Sequence, residues 1–263
     1  MRMNFEDIVY EKQDGIAKIT INRPKVLNAL RLLTYQELTK AIDDAAWDKE
    51  IGVVVLTGSG DRAFSSGGDV KAQATRTIDS GRHHLKQMQL LSIAIRNCGK
   101  PVIAAVDGYC VGGGHELHLW CDITIATDRS KFGQTGPRVG SVPVWGALQL
   151  LPRIVGEKKA REIVFLCKQY DAHEAERMGL VNKVVAPDKL WDEVNEWCQS
   201  ILDKSPQAIR LAKLGMNFES DQLFPSVTLN SEWLAQMYGN EENMEGINAF
   251  NEKRPPDFRK FRK

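Results

Sequence analysis

The sequence predicts a layered α/β fold whose C-terminal third is helical. Three observations support this prediction. Strand-like and helix-like stretches alternate through the N-terminal two-thirds of the chain. Two of the strand-like stretches, 51–58 and 101–106, are apolar almost throughout, which is expected when helices cover both faces of a parallel sheet. From Ala147 onward the pattern is helical, with one strand-like interruption at 180–185.

The individual elements follow from periodicity and from the residues that break it. Strands are predicted where short apolar or alternating runs end at turn residues, as at Gln13-Asp14-Gly15. Helices are predicted where apolar residues recur every three or four positions, as at Leu38, Ile42 and Ala45. The predicted strands are 8–11, 16–21, 51–58, 101–106, 123–126 and 180–185. The predicted helices are about 34–47, 82–98, 148–151, 160–167, 172–178, 190–202, 206–217 and 231–238.

Two glycine turns and one long loop interrupt the predicted core. Gly67-Gly68 lies in the loop 59–70, and Gly112-Gly113-Gly114 lies where a strand meets a helix. The loop 132–146 is rich in glycine and proline. A loop of that length inside a compact domain is more often functional than idle.

Composition excludes several classes of function. The chain has 35 basic and 34 acidic residues, so neither a nucleic acid nor a membrane surface is an expected partner. Its five cysteines are widely spaced and odd in number, which favours free thiols in a reducing compartment. No apolar run approaches the roughly 20 residues of a membrane span, and the N-terminus lacks the apolar stretch of a secretion signal. We therefore expect a cytoplasmic protein, and no metal site, because the histidines lack suitably spaced partners.

The triglycine turn is the most informative stretch. Glycines at a strand-to-helix junction leave peptide N–H groups unpaired at a helix N-terminus, which suits an anion. Glu116, two residues beyond Gly114, is positioned to move a proton beside that anion. The alternative is close strand–helix packing, with Glu116 placed in the first turn by the helix dipole. A second turn at Gly68 also follows a strand, and two such turns converging on one oxygen would form an oxyanion hole.

Further motifs surround these two turns and are together highly specific. The chain from about residue 5 to residue 262 resembles the crotonase (enoyl-CoA hydratase/isomerase) superfamily. The matching motifs are Asn22-Arg23-Pro24, Asn28-Ala29-Leu30, Ala63-Phe64, Ser66-Gly67-Gly68-Asp69, Lys100-Pro101-Val102-Ile103-Ala104, Gly108-Tyr109, Gly112-Gly113-Gly114, Cys121-Asp122, Phe132-Gly133-Gln134, Ala175 and Gly179-Leu180-Val181.

The resemblance implies a crotonase (ClpP-like) fold of repeated β-β-α units. It implies a core domain over 1–200 with the acyl-CoA site, and a helical trimerisation region over 201–263 in a homotrimer or homohexamer. The N–H groups of Gly68 and Gly113 would polarise a thioester carbonyl. Coenzyme A would be present only as part of the substrate. It would contact Lys25, Val26, Ala29 and Gly67 of one subunit. Phe250 and Lys253 would come from a neighbouring subunit.

Within the superfamily, four segments resemble two groups of ring enzymes, 1,4-dihydroxy-2-naphthoyl-CoA synthase and 2-ketocyclohexanecarboxyl-CoA hydrolase. The resemblance implies active-site hydroxyls at Ser141 and Tyr238. The alternatives are a turn-forming serine and a tyrosine packed at a subunit contact. The four segments are 132–141, 153–162, 167–172 and 249–258.

The departures from these ring enzymes matter for the chemistry. Pro143 replaces their proton-transferring aspartate, whereas Glu116 matches one of the two hydratase glutamates. Gly136 stands where hydratases carry the second. We therefore expect water addition to a cyclic or branched enoyl-CoA, with Glu116 as the proton-transfer group. The alternatives are ring carbon–carbon cleavage or closure and, in another class, a non-enzymatic acyl-CoA binder, against which the retained glycines and Glu116 argue.

Other polar residues near these motifs have simpler interpretations. Asp69 is expected to cap the helix that follows it. His115 is expected to pack near Glu116 without acting as a base. His83-His84 is expected on a solvated helix face, and Trp145 is expected to form a wall of the acyl pocket.

Overall fold

The structure is a computed structural model that describes residues 3–262 of the chain. The predicted core domain (1–200) and C-terminal region (201–263) include Met1, Arg2 and Lys263, which lie outside the described residues. The strands are β1 Ile8–Gln13, β2 Ile16–Ile21, β3 Val53–Gly58, β4 Ala63–Ser65, β5 Val102–Val106, β6 Tyr109–Val111, β7 Ile123–Thr127, β8 Lys131–Gly133, β9 Tyr170–Asp171 and β10 Lys183–Val185. The helices are α1 Leu32–Trp47, α2 Val70–Gln73, α3 Ile78–Asn97, α4 Gly113–Trp120, α5 Ala147–Val155, α6 Glu157–Leu166, α7 Ala172–Arg177, α8 Leu190–Leu202, α9 Pro206–Asp221, α10 Phe224–Met237 and α11 Glu241–Asn251.

Two sheets form the core. The larger has the strand order β1-β2-β3-β5-β7-β10, and it is parallel except for the antiparallel β1–β2 hairpin. The smaller has the order β4-β6-β8-β9, and it is parallel except for the β8–β9 pair. Each repeat adds one strand to the larger sheet and the next to the smaller, as in β3–β4, β5–β6 and β7–β8. This is the α/β crotonase fold of repeated β-β-α units that the sequence predicts.

The central strand β3 shows why both faces of the larger sheet are apolar. Val53 and Val55 pack with Val194 of α8 on one face. Val54 and Leu56 belong to the main core on the opposite face, with α1 and α3. Helices therefore cover both faces, which explains the continuous apolar run in the sequence.

The C-terminal helices pack onto the core of their own chain. Lys213 of α9 is 3% exposed, and its Nζ donates hydrogen bonds to the carbonyls of Ile95 and Lys100 and to the Asp122 carboxylate. In α11, Asn243 Nδ2 donates to the Gly140 carbonyl at 3.0 Å. These contacts hold α9 and one face of α11 against the core.

Several elements differ from the sequence-based predictions. The predicted loop 59–70 contains β4, and the predicted helix 231–238 is the end of the longer α10. The helix α11, capped by Asn240, was not predicted. The strands of the smaller sheet have two or three residues each, too few to establish a period in the sequence.

Within the described part of the chain, every helix is too short or too polar to cross a membrane.

Candidate active site

The two glycine turns lie side by side because their strands are neighbours. β4 and β6 pair in parallel, so the turns that follow them leave the same edge of the smaller sheet. A methyl group placed on Gly113 would lie 3.4 Å from the Gly68 nitrogen. One placed on Gly67 would lie only 2.9 Å from the Gly113 nitrogen. Residue 67 must therefore be glycine, since its φ is also +96°.

The Gly68 N–H is directed away from its nearest backbone neighbour. Leu30 forms an isolated parallel bridge with Gly68, in which the Leu30 N–H donates to the Gly67 carbonyl and the Asp69 N–H donates to the Leu30 carbonyl. Gly68's own N–H takes no part in this bridge. Gly113 is the first residue of α4, where an N–H has no partner within the helix. Within residues 3–262 neither amide donates to a backbone carbonyl, so both are available to one ligand oxygen.

Glu116 is the buried carboxyl group of this region. It lies in the first turn of α4 and is 5% exposed. Its Oε1 accepts a 2.7 Å hydrogen bond from the backbone N–H of Trp145. Burial raises the pKa of Glu116 to about 8, although hydrogen bonds from the backbone of Trp145 and Ala147 oppose this shift. A carboxyl group with that pKa can both accept and donate a proton near neutral pH.

Two tyrosines and a histidine lie around Glu116. The Tyr35 ring makes edge contacts with His84 and Trp145, with ring centroids 5.2 and 5.4 Å apart. Its hydroxyl would lie 3.5 Å from a methyl group on Gly113. Burial, and secondarily the Glu116 charge, raise the pKa of Tyr35, and burial raises that of Tyr238. Both hydroxyls therefore remain protonated and can donate hydrogen bonds.

These groups line one cavity of about 1170 Å³. Gly68, Gly113 and Glu116 lie on its wall together with Tyr35 and Tyr238. Among the described residues, its acidic lining consists of Glu116 and Asp69. Asp69 is otherwise engaged: it caps α2 by accepting from the Ala72 N–H and pairs with Arg23 at 3.2 Å. Glu116 is therefore the carboxyl group available for proton transfer.

The structure brings most of the sequence-predicted site residues into this cavity. Ser141 and Tyr238 line it, as do the residues predicted to contact coenzyme A other than Gly67: Lys25, Val26, Ala29, Phe250 and Lys253. Gly67 is not part of the cavity wall. Its carbonyl accepts a hydrogen bond from the Leu30 N–H. Phe250 and Lys253 of this chain line its own cavity, and a contribution of the same two residues to a neighbouring subunit's site stays a prediction.

Two side chains near the site, His84 and Trp145, have positions that differ from the sequence-based predictions. His84 was expected on a solvated face, but it is 5% exposed and lines the cavity, while His83 is exposed. Trp145 is not on the cavity wall; its ring packs behind Tyr35 and its backbone holds Glu116. His115, which was expected to pack without acting as a base, is buried off the cavity wall, and its Nδ1 lies 3.0 Å from Gln134 Nε2.

Sequence reasoning missed Tyr35, His84 and Arg76 as residues of the site. Tyr35 belongs to the buried face of α1, where a tyrosine is indistinguishable from a packing residue. Arg76 lies between α2 and α3 in a segment without periodicity, so no local signal marked it. The one available signal was a histidine on the apolar face of α3, at the helical spacing of Met88 and Leu91.

Among residues 3–262, no three His, Cys, Asp or Glu side chains lie close enough together to hold a metal ion.

Comparison with known proteins identifies the class. Residues 11–261 match the family model of enoyl-CoA hydratase/isomerase, and the chain belongs to that family. It is therefore an acyl-CoA enzyme of the crotonase superfamily.

Solved structures agree with this assignment. An enoyl-CoA hydratase from Mycobacterium avium subsp. paratuberculosis K-10 is 27% identical, with a TM-score of 0.88 over 97% of this chain and 99% of that one. An enoyl-CoA hydratase/isomerase from Xanthobacter autotrophicus Py2 is 32% identical, with a TM-score of 0.87 over 95% and 94%. An enoyl-CoA hydratase from Bacillus anthracis is 31% identical, with a TM-score of 0.79 over 95% and 98%.

Proposed function

We propose that this protein is an enoyl-CoA hydratase that adds water to a cyclic or branched enoyl-CoA. The observation that carries the proposal is a single available carboxyl group, Glu116, in the same cavity as the paired amides of Gly68 and Gly113. The two amides are suited to the thioester oxygen, which gathers negative charge as an enolate forms. Glu116 is suited to the proton transfers that hydration requires.

The reaction needs one carboxylate to act twice. Glu116 takes a proton from water as the water oxygen bonds to the β-carbon, and the alkene electron pair moves onto the thioester oxygen. The amides of Gly68 and Gly113 hold that oxygen. Glu116 then returns its proton to the α-carbon, which completes the addition of one water and regenerates the carboxylate. A pKa near 8 suits both steps, because neither form of Glu116 is strongly favoured.

The cavity wall around Gly136 supports the proposal of a bulky acyl group. Gly136 lines the cavity, and a methyl group there would lie 3.1 Å from the Ser141 carbonyl and 3.4 Å from the Pro143 side chain. Because Ser141 and Pro143 also line the cavity, a larger side chain at position 136 would crowd this part of its wall. Its absence leaves room for a ring or a branch on the substrate.

Cationic and apolar side chains of the cavity wall support a coenzyme A site there. Lys25 and Lys253 offer positive charge to phosphate groups, and exposed Val26 and Phe250 offer apolar contacts to the nucleotide. The cofactor requirement would be limited to coenzyme A as the carrier of the acyl group.

Exposed apolar residues support assembly into a homotrimer or homohexamer. They are concentrated on α9 and α10, and an exposed apolar surface of this kind commonly marks a protein–protein contact. The large ones on these two helices are Leu211, Met216, Phe218, Leu229 and Trp233. Mass photometry of the purified protein would distinguish trimer, hexamer and monomer.

Ring carbon–carbon cleavage or closure is the second candidate function. Ser141 and Tyr238 both line the cavity, which favours this function, because the resemblance to the ring enzymes assigns both hydroxyls to the active site. The proline at position 143 argues against it, since the aspartate expected there is missing.

The deciding experiment is incubation with cyclic and linear enoyl-CoA and β-ketoacyl-CoA thioesters, followed by mass spectrometry. A readily reversible gain of one water, giving a β-hydroxyacyl product, would support the hydratase. An irreversible gain of water with a new carboxylate would support ring cleavage. Binding of every thioester without any product would support a non-enzymatic binder.

A further inference from the structure

Arg76 lies at the cavity without an acidic partner. Its Nη1 donates a 3.2 Å hydrogen bond to the Tyr238 hydroxyl, and its guanidinium carbon lies 5.1 Å from the centre of that ring. Within residues 3–262, no carboxylate oxygen comes within 4.0 Å of it. A half-buried guanidinium presents five N–H donors, and Tyr238 uses only part of this capacity.

The contacts of Arg76 place it at the Glu116 end of the cavity. Its partner Tyr238 packs so closely on α3 that a methyl group on Gly81 would lie 2.3 Å from the ring. The Arg76 charge acts on Tyr35 and Tyr238, the same two hydroxyl groups on which the Glu116 charge acts. The residues suited to the nucleotide, such as Lys25 and Phe250, are not among its contacts.

A second polar group without a partner lies beside Arg76. His84 is 5% exposed and lines the cavity, and among the described residues its Nδ1 has no hydrogen-bond partner. Burial, and then the positive charge of Arg76, lower the pKa of His84 to about 3, so its imidazole is neutral at pH 7. Buried polar groups are normally satisfied, so an unpartnered ring nitrogen in the cavity wall is suited to a hydrogen bond with a bound ligand.

We propose that Arg76, with His84 and Tyr238 beside it, binds an oxygen atom that the acyl group carries beyond its thioester. The ligand chemistry is a hydrogen-bond-accepting oxygen on an acyl chain or ring, as in a carboxylate or a ketone. Such an oxygen supplies a further acceptor for the guanidinium, whose donors Tyr238 uses only in part, and charge-assisted hydrogen bonds are the stronger kind. The inference rests on the proposed function only in taking the cavity as an acyl-CoA site, and it holds for hydration or ring cleavage.

The test measures binding, so it does not depend on turnover. Three saturated six-carbon thioesters are compared by isothermal titration calorimetry: hexanoyl-CoA, 5-oxohexanoyl-CoA and adipoyl-CoA. We expect the unmodified protein to bind an oxygen-bearing thioester more tightly than hexanoyl-CoA. The Arg76→Ala variant should lose this preference, with a loss of about 10-fold or more in affinity for the oxygen-bearing ligand and little change for hexanoyl-CoA.

Two further variants sharpen the result. Arg76→Gln keeps a donor but loses the charge, so it should retain part of the ketone affinity and lose the carboxylate affinity. Lys25→Ala removes a cation proposed to bind the phosphates of coenzyme A, so it should weaken all three thioesters equally. Equal affinity for the three ligands, or a preference that survives Arg76→Ala, would overturn the proposal. Failure of every thioester and of free coenzyme A to bind would instead contradict the acyl-CoA site itself.

Discussion

The backbone N–H of Trp145 donates a 2.7 Å hydrogen bond to Oε1 of Glu116. Two further contacts hold that backbone in place. Trp120 Nε1 donates to the Trp145 carbonyl at 3.0 Å, and Gly146 has a φ of +90° with no room for a methyl group beside the Trp120 ring. The carboxyl group is therefore oriented by main-chain atoms, and among residues 3–262 no cation offsets the cost of burying it.

Replacing Glu116 by glutamine should abolish most turnover and preserve binding. The amide oxygen can still accept from Trp145, so the fold should be retained, but the proton-transfer group is lost. We expect kcat to fall by roughly 100- to 10,000-fold, with Kd for a saturated acyl-CoA unchanged. The matched control is Asp69→Asn, the other acidic position of the cavity wall, which should keep its cap and its turnover. Wild-type turnover in Glu116→Gln would contradict the assignment.

The pH dependence of kcat/KM should report the ionisation of Glu116. Hydration begins with the ionised carboxylate, whose pKa is raised to about 8. We expect kcat/KM to rise about tenfold per pH unit below this value and to level off above it. Stopped-flow or coupled assays between pH 6 and 10, at constant ionic strength, would test this. A flat profile across that range would exclude Glu116 as the initial base.

The raised pKa of Glu116 should make the free energy of unfolding fall as the pH rises. Because the pKa of Glu116 is higher in the folded state than its ordinary value of 4.5, the unfolded chain ionises first. The contribution of the protonated carboxyl group is complete below pH 4.5, is lost as the pH approaches about 8 and is constant above. Relative to Glu116→Gln, the wild type should lose at most about 5 kcal/mol over this window. Urea unfolding of both proteins at several pH values would show the difference, and parallel curves would refute it.

Two alanine substitutions should distinguish the role of the paired Gly68 and Gly113 amides from a general effect on the glycine turns. A methyl group on Gly113 meets its neighbours at 3.4 Å or more, so Gly113→Ala should fold, but the methyl would occupy the space beside the Gly68 N–H. We expect kcat to fall by roughly 100- to 1000-fold. In Gly68→Ala the methyl meets the movable end of Gln73 at 2.7 Å instead, and the loss should be smaller. Equal losses, measured alongside Tm, would indicate a general disturbance of the turns.

Lys213 should be required for docking α9 onto the core. Lys213→Met would leave the Ile95 and Lys100 carbonyls and the Asp122 carboxylate without their shared donor. We expect the free energy of unfolding to fall by about 3–5 kcal/mol, the usual cost of breaking a buried ion pair. Lys189→Met is the matched control, because its exposed pair with Asp192 should contribute little. Urea midpoints for the two variants would make the comparison, and similar midpoints would contradict it.

Much of the core was predictable because its signals are local. The run of valines in β3 indicated a strand covered on both faces, and the two glycine turns indicated where the chain approaches a ligand. The short strands of the smaller sheet were not predictable, although their pairing places the two turns side by side. A strand of three residues is stabilised by its neighbours and not by its own sequence.

The candidate site was predictable only in part, for a related reason. Glu116 and Gly113 are close in the chain, so one motif contains both. Arg76 and Tyr238 are 162 positions apart, and their contact depends on α10 packing against α3.

The sequence by itself determined the parallel layered core, the family and the acid beside the triglycine turn, because short-range patterns and motifs encode these features. Only the tertiary structure decided that His84 is buried in the cavity wall, that Arg76 meets Tyr238 there, and that residues of the chain's own C-terminal helices line the same cavity. Such contacts arise from the packing of distant segments, and no local periodicity records which segments will meet.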